Sequence, residues 1–142
     1  TLQGVKSAVQ AGSQLVFAKS AIASEQKVAS AAGPTSQVSI GGVPVETDFG
    51  YPDGETNATN TVLSTWVDIS ANDFTVVAGS SGATAATTTV PGGGAFAVIP
   101  ATGSPTVNYT LTAADALSCH VLYAEATDAN TPAVVTAVTG AC

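Results

Sequence analysis

Residues 1–32, TLQGVKSAVQAGSQLVFAKSAIASEQKVASAA, decide the fold, because this stretch alone is long, free of proline and patterned for one face. Ala8, Ala11, Leu15, Ala18 and Ile22 recur at three- and four-residue steps, and Leu2, Val5, Val9, Val16 and Phe17 widen the stripe. That is the period of an amphipathic helix whose stripe packs on a sheet. Gln3, Lys6, Gln10, Gln14, Ser24 and Lys27 lie opposite, and Lys19 interrupts the apolar face. Ala31-Ala32-Gly33-Pro34 puts a glycine where a left-handed cap is wanted and a proline just past it, so the helix is expected to end near Ala32. It starts at Thr1 without a methionine or a capping box, and reads as a helix cut through its middle. At about 1.5 Å per residue it would be roughly 45 to 48 Å long, more than a small domain covers. The turns from Thr1 to about Gln10 are therefore expected to project without an intramolecular partner.

The 142 residues suit one domain (1–142), divided into the helix (1–32), a connecting region with a short helix (33–72) and a sheet region (73–142). Small residues dominate, charged residues make up only 9 %, and the formal net charge is -7. Lys6, Lys19 and Lys27 are the only cations, so residues 28–142 carry none. Nucleic-acid binding is excluded as a reading, since that affinity comes largely from Lys and Arg on phosphates. No window approaches the roughly 18 to 20 apolar residues of a membrane span, and no signal peptide is present. The chain as given reads as soluble, with any anchor upstream of Thr1.

After Pro34 the helical period stops. Val38 to Val45 alternates apolar residues with glycines and a proline and reads as a short irregular strand or loop. Pro52-Asp53-Gly54 specifies a tight turn. Thr56 to Val67 places Ala58, Val62, Leu63, Trp66 and Val67 on one face of a short helix capped by Thr56 or Asn57, with Trp66 as a core anchor. Residues 73–78, 95–99, 106–112, 119–126 and 132–139 are rich in β-branched and aromatic residues bounded by turn chemistry, which is the pattern of an antiparallel sheet. Gly79 to Gly94 is an exposed loop, and Asp128-Ala129-Asn130 is a hairpin turn. The fold class expected is α+β, a long N-terminal helix on an antiparallel sheet.

Cys119 and Cys142 are the only thiols. Two thiols make a poor metal site, and a last-residue cysteine is poorly held for catalysis, so a disulfide is the expectation. Closing that loop stabilises by roughly 3 kcal/mol in the chain-entropy model and implies a periplasmic or extracellular compartment. Glu46, Asp48, Asp53 and Glu55 cluster around the turn; Asp48, Asp53 and Glu55 are the residues that would hold calcium, although their spacing is that of no known calcium loop and acids favour turns anyway. The one histidine, His120, has only Asp115 and Glu125 near it in sequence and reads as a packed or solvated strand residue. No catalytic or phosphate-loop motif is present, and Gly92-Gly93-Gly94 lacks the helix and lysine a phosphate loop needs. No enzyme activity and no cofactor are expected. Asn57-Ala58-Thr59 and Asn108-Tyr109-Thr110 match the short N-glycosylation pattern.

The segment TLQGVKSAVQAGSQLVFAKSAIASEQK, the turn Phe49-Gly50-Tyr51-Pro52-Asp53 and the ending from Cys119 to Cys142, with Thr131-Pro132-Ala133-Val134-Val135 inside it, resemble a type IV pilin of the mannose-sensitive haemagglutinin (MSHA) family that lacks its hydrophobic N-terminal half. The resemblance covers both ends and the Tyr51-Pro52 turn, and fades between Gly79 and Ala116. It implies a prepilin, cleaved and N-methylated by a prepilin peptidase, anchored in the inner membrane by an upstream half-helix, then polymerised by the pilus machinery into an extracellular surface fibre. It also implies that Cys119 and Cys142 bound a region that shapes the fibre surface. In such a fibre Leu2, Val5 and Val9 are the expected assembly residues, meeting equivalent helices of other copies. Attachment to host or environmental surfaces and biofilm formation follow from the same resemblance. The competing readings are a secretion-system pseudopilin, which bound calcium would favour, and a glycan-binding adhesin at a fibre tip, for which Tyr51, Trp66, Tyr109 and Tyr123 are the available aromatics.

Overall fold

The computed structural model describes residues 2–29, 36–80, 84–103, 105–111 and 117–142. The chain runs α1 (Leu2–Ile22), β1 (Gln37–Ile40), β2 (Val43–Asp48), β3 (Tyr51–Pro52), α2 (Asn60–Leu63), β4 (Phe74–Ala78), β5 (Ala95–Pro100), β6 (His120–Ala124) and β7 (Val134–Val138). Strands β1-β2-β3 form one antiparallel sheet and β4-β5-β6-β7 another. The α+β class is therefore as expected, with α1 packed against strands of both sheets. No helix among the described residues is long and apolar enough to cross a membrane.

Helix α1 stops ten residues before Ala32. Its last turn closes as a Schellman motif: Glu25 N–H donates to the Ser20 carbonyl at 2.9 Å and Ser24 N–H to the Ala21 carbonyl at 3.0 Å. Ser24 takes the left-handed position with φ 60°, a role usually given to glycine. Phe49 N–H then donates to the Val28 carbonyl at 2.8 Å, which draws the chain back against the β2–β3 turn. Gly33 and Pro34, the expected stop, lie outside the described residues. A helix of 21 residues is about 30 Å long, a length the strands beside it cover.

The face that packs is one edge of the expected stripe, the edge with Leu2, Val5, Val9 and Val16, and not its central line. Leu2, Val5, Val9, Gly12, Ser13, Val16 and Ser20 are buried, while Ala11 and Ala18 are exposed, Leu15 is 49 % exposed and Ile22 86 %. The buried line at 9, 12 and 16 lies one residue beyond the central line at 8, 11 and 15, which is a rotation of about 100°. The cause is close approach. A Cβ added to Gly12 would collide with the Trp66 carbonyl oxygen and come within 2.8 Å of Trp66 Cε3, so the helix can rest on Trp66 only through this glycine. The first turns do not project either: Leu2 and Val5 are 4 % exposed and Val9 is 0 % exposed, all three in the main core cluster.

Trp66 is the anchor the sequence suggests. Its ring makes edge contacts with Phe96 and Tyr123, which stack on each other with centroids 4.8 Å apart. Its Nε1–H donates to Asn57 Oδ1 at 3.0 Å, while Asn57 Nδ2 donates to the Asp53 and Glu46 carbonyls. Asn57 is thus used up in the core and does not cap α2. Thr59 does so, accepting from Val62 N–H at 3.2 Å, and the helix is a single turn rather than the expected run from Thr56 to Val67.

Residues 37–48 form a hairpin where a loop or irregular strand was expected. Gly41 and Gly42, with φ of 57° and 83°, make the two-residue loop that pairs Ile40 with Val43. Two positive φ values in succession match the twist of the flanking strands. Residues 106–111 are not a strand: Cys119 N–H donates to the Thr106 carbonyl at 2.8 Å, and Asn108 Oδ1 accepts from Thr110 N–H at 3.0 Å, which turns the chain. Thr112 lies outside the described residues. The other four expected strands are β4 to β7, with Asp128 and Thr131 bridging the last turn. Cys119 and Cys142 are bonded across 23 residues, pinning the chain end beside β6.

Replacing Gly12 by alanine tests the helix placement. In an exposed helix the change stabilises by about 1 kcal/mol; here it should instead lower stability by about 1 to 3 kcal/mol through overpacking. Leu15→Ala should shift stability by no more than about 0.5 kcal/mol. Denaturant titration of the two variants reads both, and a destabilised Leu15→Ala beside a stabilised Gly12→Ala would put the other face inward.

Candidate functional site

The polar chemistry of the chain gathers where the two sheets meet. Asp48 ends β2, Asp53 follows β3 and Glu125 follows β6, and one carboxylate oxygen from each lies within 4.8 Å of the others. Asp53 is 4 % exposed; Asp48 and Glu125 are half-buried. The β2–β3 turn sets the first two acids close together, with Asp48 opposite Tyr51, whose ring stacks on Phe17 of α1 at 4.5 Å. Two bonds that cross 71 residues of sequence bring in the third acid. Gly54 N–H donates to Glu125 Oε2 at 2.7 Å, and the Tyr123 hydroxyl donates to the Pro52 carbonyl at 2.6 Å.

Asp53 is held tightly. Its Oδ2 accepts from Thr56 N–H at 3.1 Å and from Thr56 Oγ1 at 2.9 Å, the local pattern by which an aspartate closes a turn. Glu125 N–H donates to the Gly94 carbonyl at 2.9 Å, so the same residue ties the loop before β5 to the turn after β3.

Three carboxylates in one place need neutralising, and no lysine or arginine follows Lys27 in the chain. A proton does this work. Burial first, then a hydrogen bond to the Asp53 carboxylate and the charges of Asp53 and Asp48, raise the Glu125 pKa from 4.5 to about 9, against the opposing pull of the Gly54 N–H. At neutral pH Glu125 is a carboxylic acid that donates to Asp53 while accepting from Gly54. Burial and the same acids push the Tyr123 hydroxyl well above its usual value, which keeps it a donor to Pro52. The oxygen donors are also of the hard type that calcium and magnesium take.

This geometry corrects the calcium set read from sequence. Asp48 and Asp53 come together, but Glu55 is exposed and outside the group, and Glu125 stands in its place. Sequence proximity associates Glu125 with His120 instead. The available signal was the absence of any cation after Lys27, which makes a half-buried acid on a strand end a candidate for a partner acid.

His120 is a packed strand residue. It is fully buried, its Nδ1 lies 2.7 Å from Ser118 Oγ, and its ring meets Tyr109 edge-on at 5.1 Å. Ser118 Oγ also accepts from Asn108 N–H at 2.9 Å, and Nε2 has no hydrogen-bond partner among the described residues. Burial lowers its pKa. Asp115 lies outside the described residues. Trp66, Tyr109 and Tyr123 are buried, which removes three of the four aromatics considered as sugar platforms. Asn57 of the first glycosylation pattern is fully buried, and Asn108 of the second is half-buried with its carbonyl engaged by Thr110. Leu2, Val5 and Val9 lie in the core, not on a surface.

No family model, curated protein or solved structure matches the chain.

The two titrating groups set the pH dependence of stability. The Glu125 pKa is raised on folding, so its contribution is full below about 4.5 and is lost as pH rises towards about 9. The His120 pKa is lowered below 6.5, so its contribution is lost as pH falls beneath that value. The melting temperature should therefore be highest between about pH 4.5 and 6.5 and decline towards pH 9. Glu125→Gln keeps a donor and an acceptor at the same place and should flatten the alkaline decline. Circular dichroism melts across this range check both, and a melting temperature rising from pH 6 to 9 would remove the protonated acid from the account.

Proposed function

We propose that the chain is the globular part of a type IV pilin of the MSHA kind, a structural subunit that polymerises into an extracellular bacterial surface fibre for attachment and biofilm formation. The observation that carries the reading is the split of α1. One face lies on the antiparallel strands, while the opposite face leaves Leu15 and Ile22 in solvent, an arrangement suited to a helix shared between a subunit and its neighbours. The Cys119–Cys142 bridge around the terminal strand pair and the resemblance of the helix and of the Tyr51-Pro52 turn agree with it.

In this reading the precursor is held in the inner membrane by an apolar half-helix upstream of Thr1 and is extracted by the pilus machinery. Its partners are copies of itself, that machinery and the surfaces the fibre meets. The role is structural rather than enzymatic: Ser118 and His120 are sealed from solvent, and the carboxyl group of Glu125 is committed to joining the sheets. Leu2, Val5 and Val9 hold α1 to its own strands, so subunit contacts on this part of the helix fall to the outward residues. The three-carboxylate group favours one second reading in the same architecture, the secretion pseudopilin, because hard oxygen ligands suit calcium.

Deleting the gene should abolish a class of surface fibres and the attachment that depends on them, and mass spectrometry of sheared fibres from the complemented strain should find this chain. Fibres persisting unchanged in the deletion strain, with protein export lost instead, would contradict the pilus reading in favour of the pseudopilin.

A further inference from the structure

The sheet β4-β5-β6-β7 has a second buried face. Phe96, Val98, Val121, Tyr123, Val135 and Ala137 belong to the main core cluster. Side chains alternate along a strand, so His120 and Val138, opposite each other in the β6–β7 register, point out of the far side of the sheet. Both are nevertheless fully buried. The segment 105–111, which forms no strand, supplies part of the cover: Tyr109, itself buried, sets its ring edge-on against His120. Two hydrogen bonds fasten the segment, from Cys119 N–H to the Thr106 carbonyl and from Asn108 N–H to Ser118 Oγ, and Ser118 Oγ in turn bonds His120 Nδ1. These attachments all fall on residues 118–120.

No counter-charge stands beside that imidazole on the elements around it. The strands flanking β6, which are β5 (AFAVIP) and β7 (VVTAV), contain no ionisable side chain. The segment 105–111 contains only Tyr109, and β6 itself adds only Tyr123, on the opposite face. Glu125 is five residues along the chain from His120, about 16 Å at strand spacing, and is engaged at the junction of the sheets. An imidazolium carries N–H on both ring nitrogens, yet Nε2 has no partner among the described residues. A buried charge without a counter-ion, holding an unpaired donor, is costly, and burial accordingly lowers the His120 pKa below 6.5. Lifting the segment would let water reach the ring and relieve that cost.

We propose that residues 105–111 are an acid-released strap, closed over His120 while its imidazole is neutral and lifted when both ring nitrogens carry protons. Opening breaks the Thr106–Cys119 and Asn108–Ser118 bonds and exposes the outer face at His120, while β5, β6 and β7 remain paired. It is a local opening of a lightly held segment, distinct from global unfolding. The closed form depresses the His120 pKa, so its advantage is full above 6.5 and is lost as pH falls below that value. The junction of the sheets responds in the opposite sense. Glu125 keeps its proton below about 9, so mild acid lifts the strap while the two sheets stay joined. The device stands independently of the pilus reading.

Amide hydrogen exchange followed by nuclear magnetic resonance tests it, each rate being divided by the intrinsic rate at the same pH. Between about pH 7 and 5.5 the Asn108 and Cys119 amides should lose protection by about threefold or more, within the roughly tenfold per pH unit that one proton permits. Val98 and Tyr123, in the paired strands, should keep theirs. His120→Gln, neutral throughout, should abolish the change. Tyr109→Ala keeps the titrating ring but strips its cover, so the His120 ring protons should titrate closer to 6.5 than in the parent chain. Unchanged protection at Asn108 and Cys119 would overturn the proposal. So would an equal loss at Val98 and Tyr123, which is global unfolding, or a loss that persists in His120→Gln. Should His120→Gln not fold, the Tyr109→Ala titration decides alone, and a midpoint no nearer 6.5 overturns the strap.

Discussion

The backbone of α1 touches the protein at one point more closely than any side chain there would allow, where Gly12 rests on the carbonyl and ring of Trp66. Much else follows from that contact. It sets the rotation of the helix, placing Val9 and Val16 in the core and Leu15 and Ile22 outside. It also explains why Trp66 is fastened so firmly: Asn57 takes its Nε1–H, and Asn57 in turn bonds the carbonyls of Asp53 and Glu46. The helix, the turn after β3 and the aromatic pair Phe96 and Tyr123 are thereby made one packing unit.

The second constraint is electrostatic. A chain whose cations are all within its first 27 residues must neutralise buried acids by other means. At the junction of the sheets a proton on Glu125 does so, and the resulting acid donates to Asp53 while accepting from Gly54 in the same turn. Replacing such a group with an ionised one is costly, because a buried carboxylate without a counter-charge loses its hydration and gains no partner. The arrangement makes the joint strongest in mildly acid conditions. It leaves α1 as the one basic element of an otherwise acidic molecule.

Much of the fold was legible because local chemistry and tertiary packing agree. The apolar period marks α1, the β-branched runs mark β4 to β7, and the two late cysteines mark the bridge. Three features escaped for different physical reasons. The helix ends at a Schellman turn built on Ser24, which carries no glycine signal. Its buried face was misjudged because size was weighed over fit: large Leu15 and Ile22 look like core residues, yet small Gly12, Ser13 and Ser20 permit the closer approach. Gly41-Gly42 between apolar residues did carry a hairpin signal, obscured by Pro44, which sits on the strand without ending it. The acidic group was half legible. Asp48 and Asp53 are neighbours in sequence, whereas Glu125 reaches them only through sheet topology, which no local pattern encodes.

Nuclear Overhauser contacts from the Trp66 indole ring test the central claim most directly, since the account requires the helix to meet that ring through a residue without a side chain. Strong contacts from Trp66 Hε3 to the Gly12 α protons are expected, with none from the Leu15 or Ile22 methyls to Trp66, Phe96 or Tyr123. Contacts from the Leu15 methyls to those rings, with none from Gly12, would contradict it.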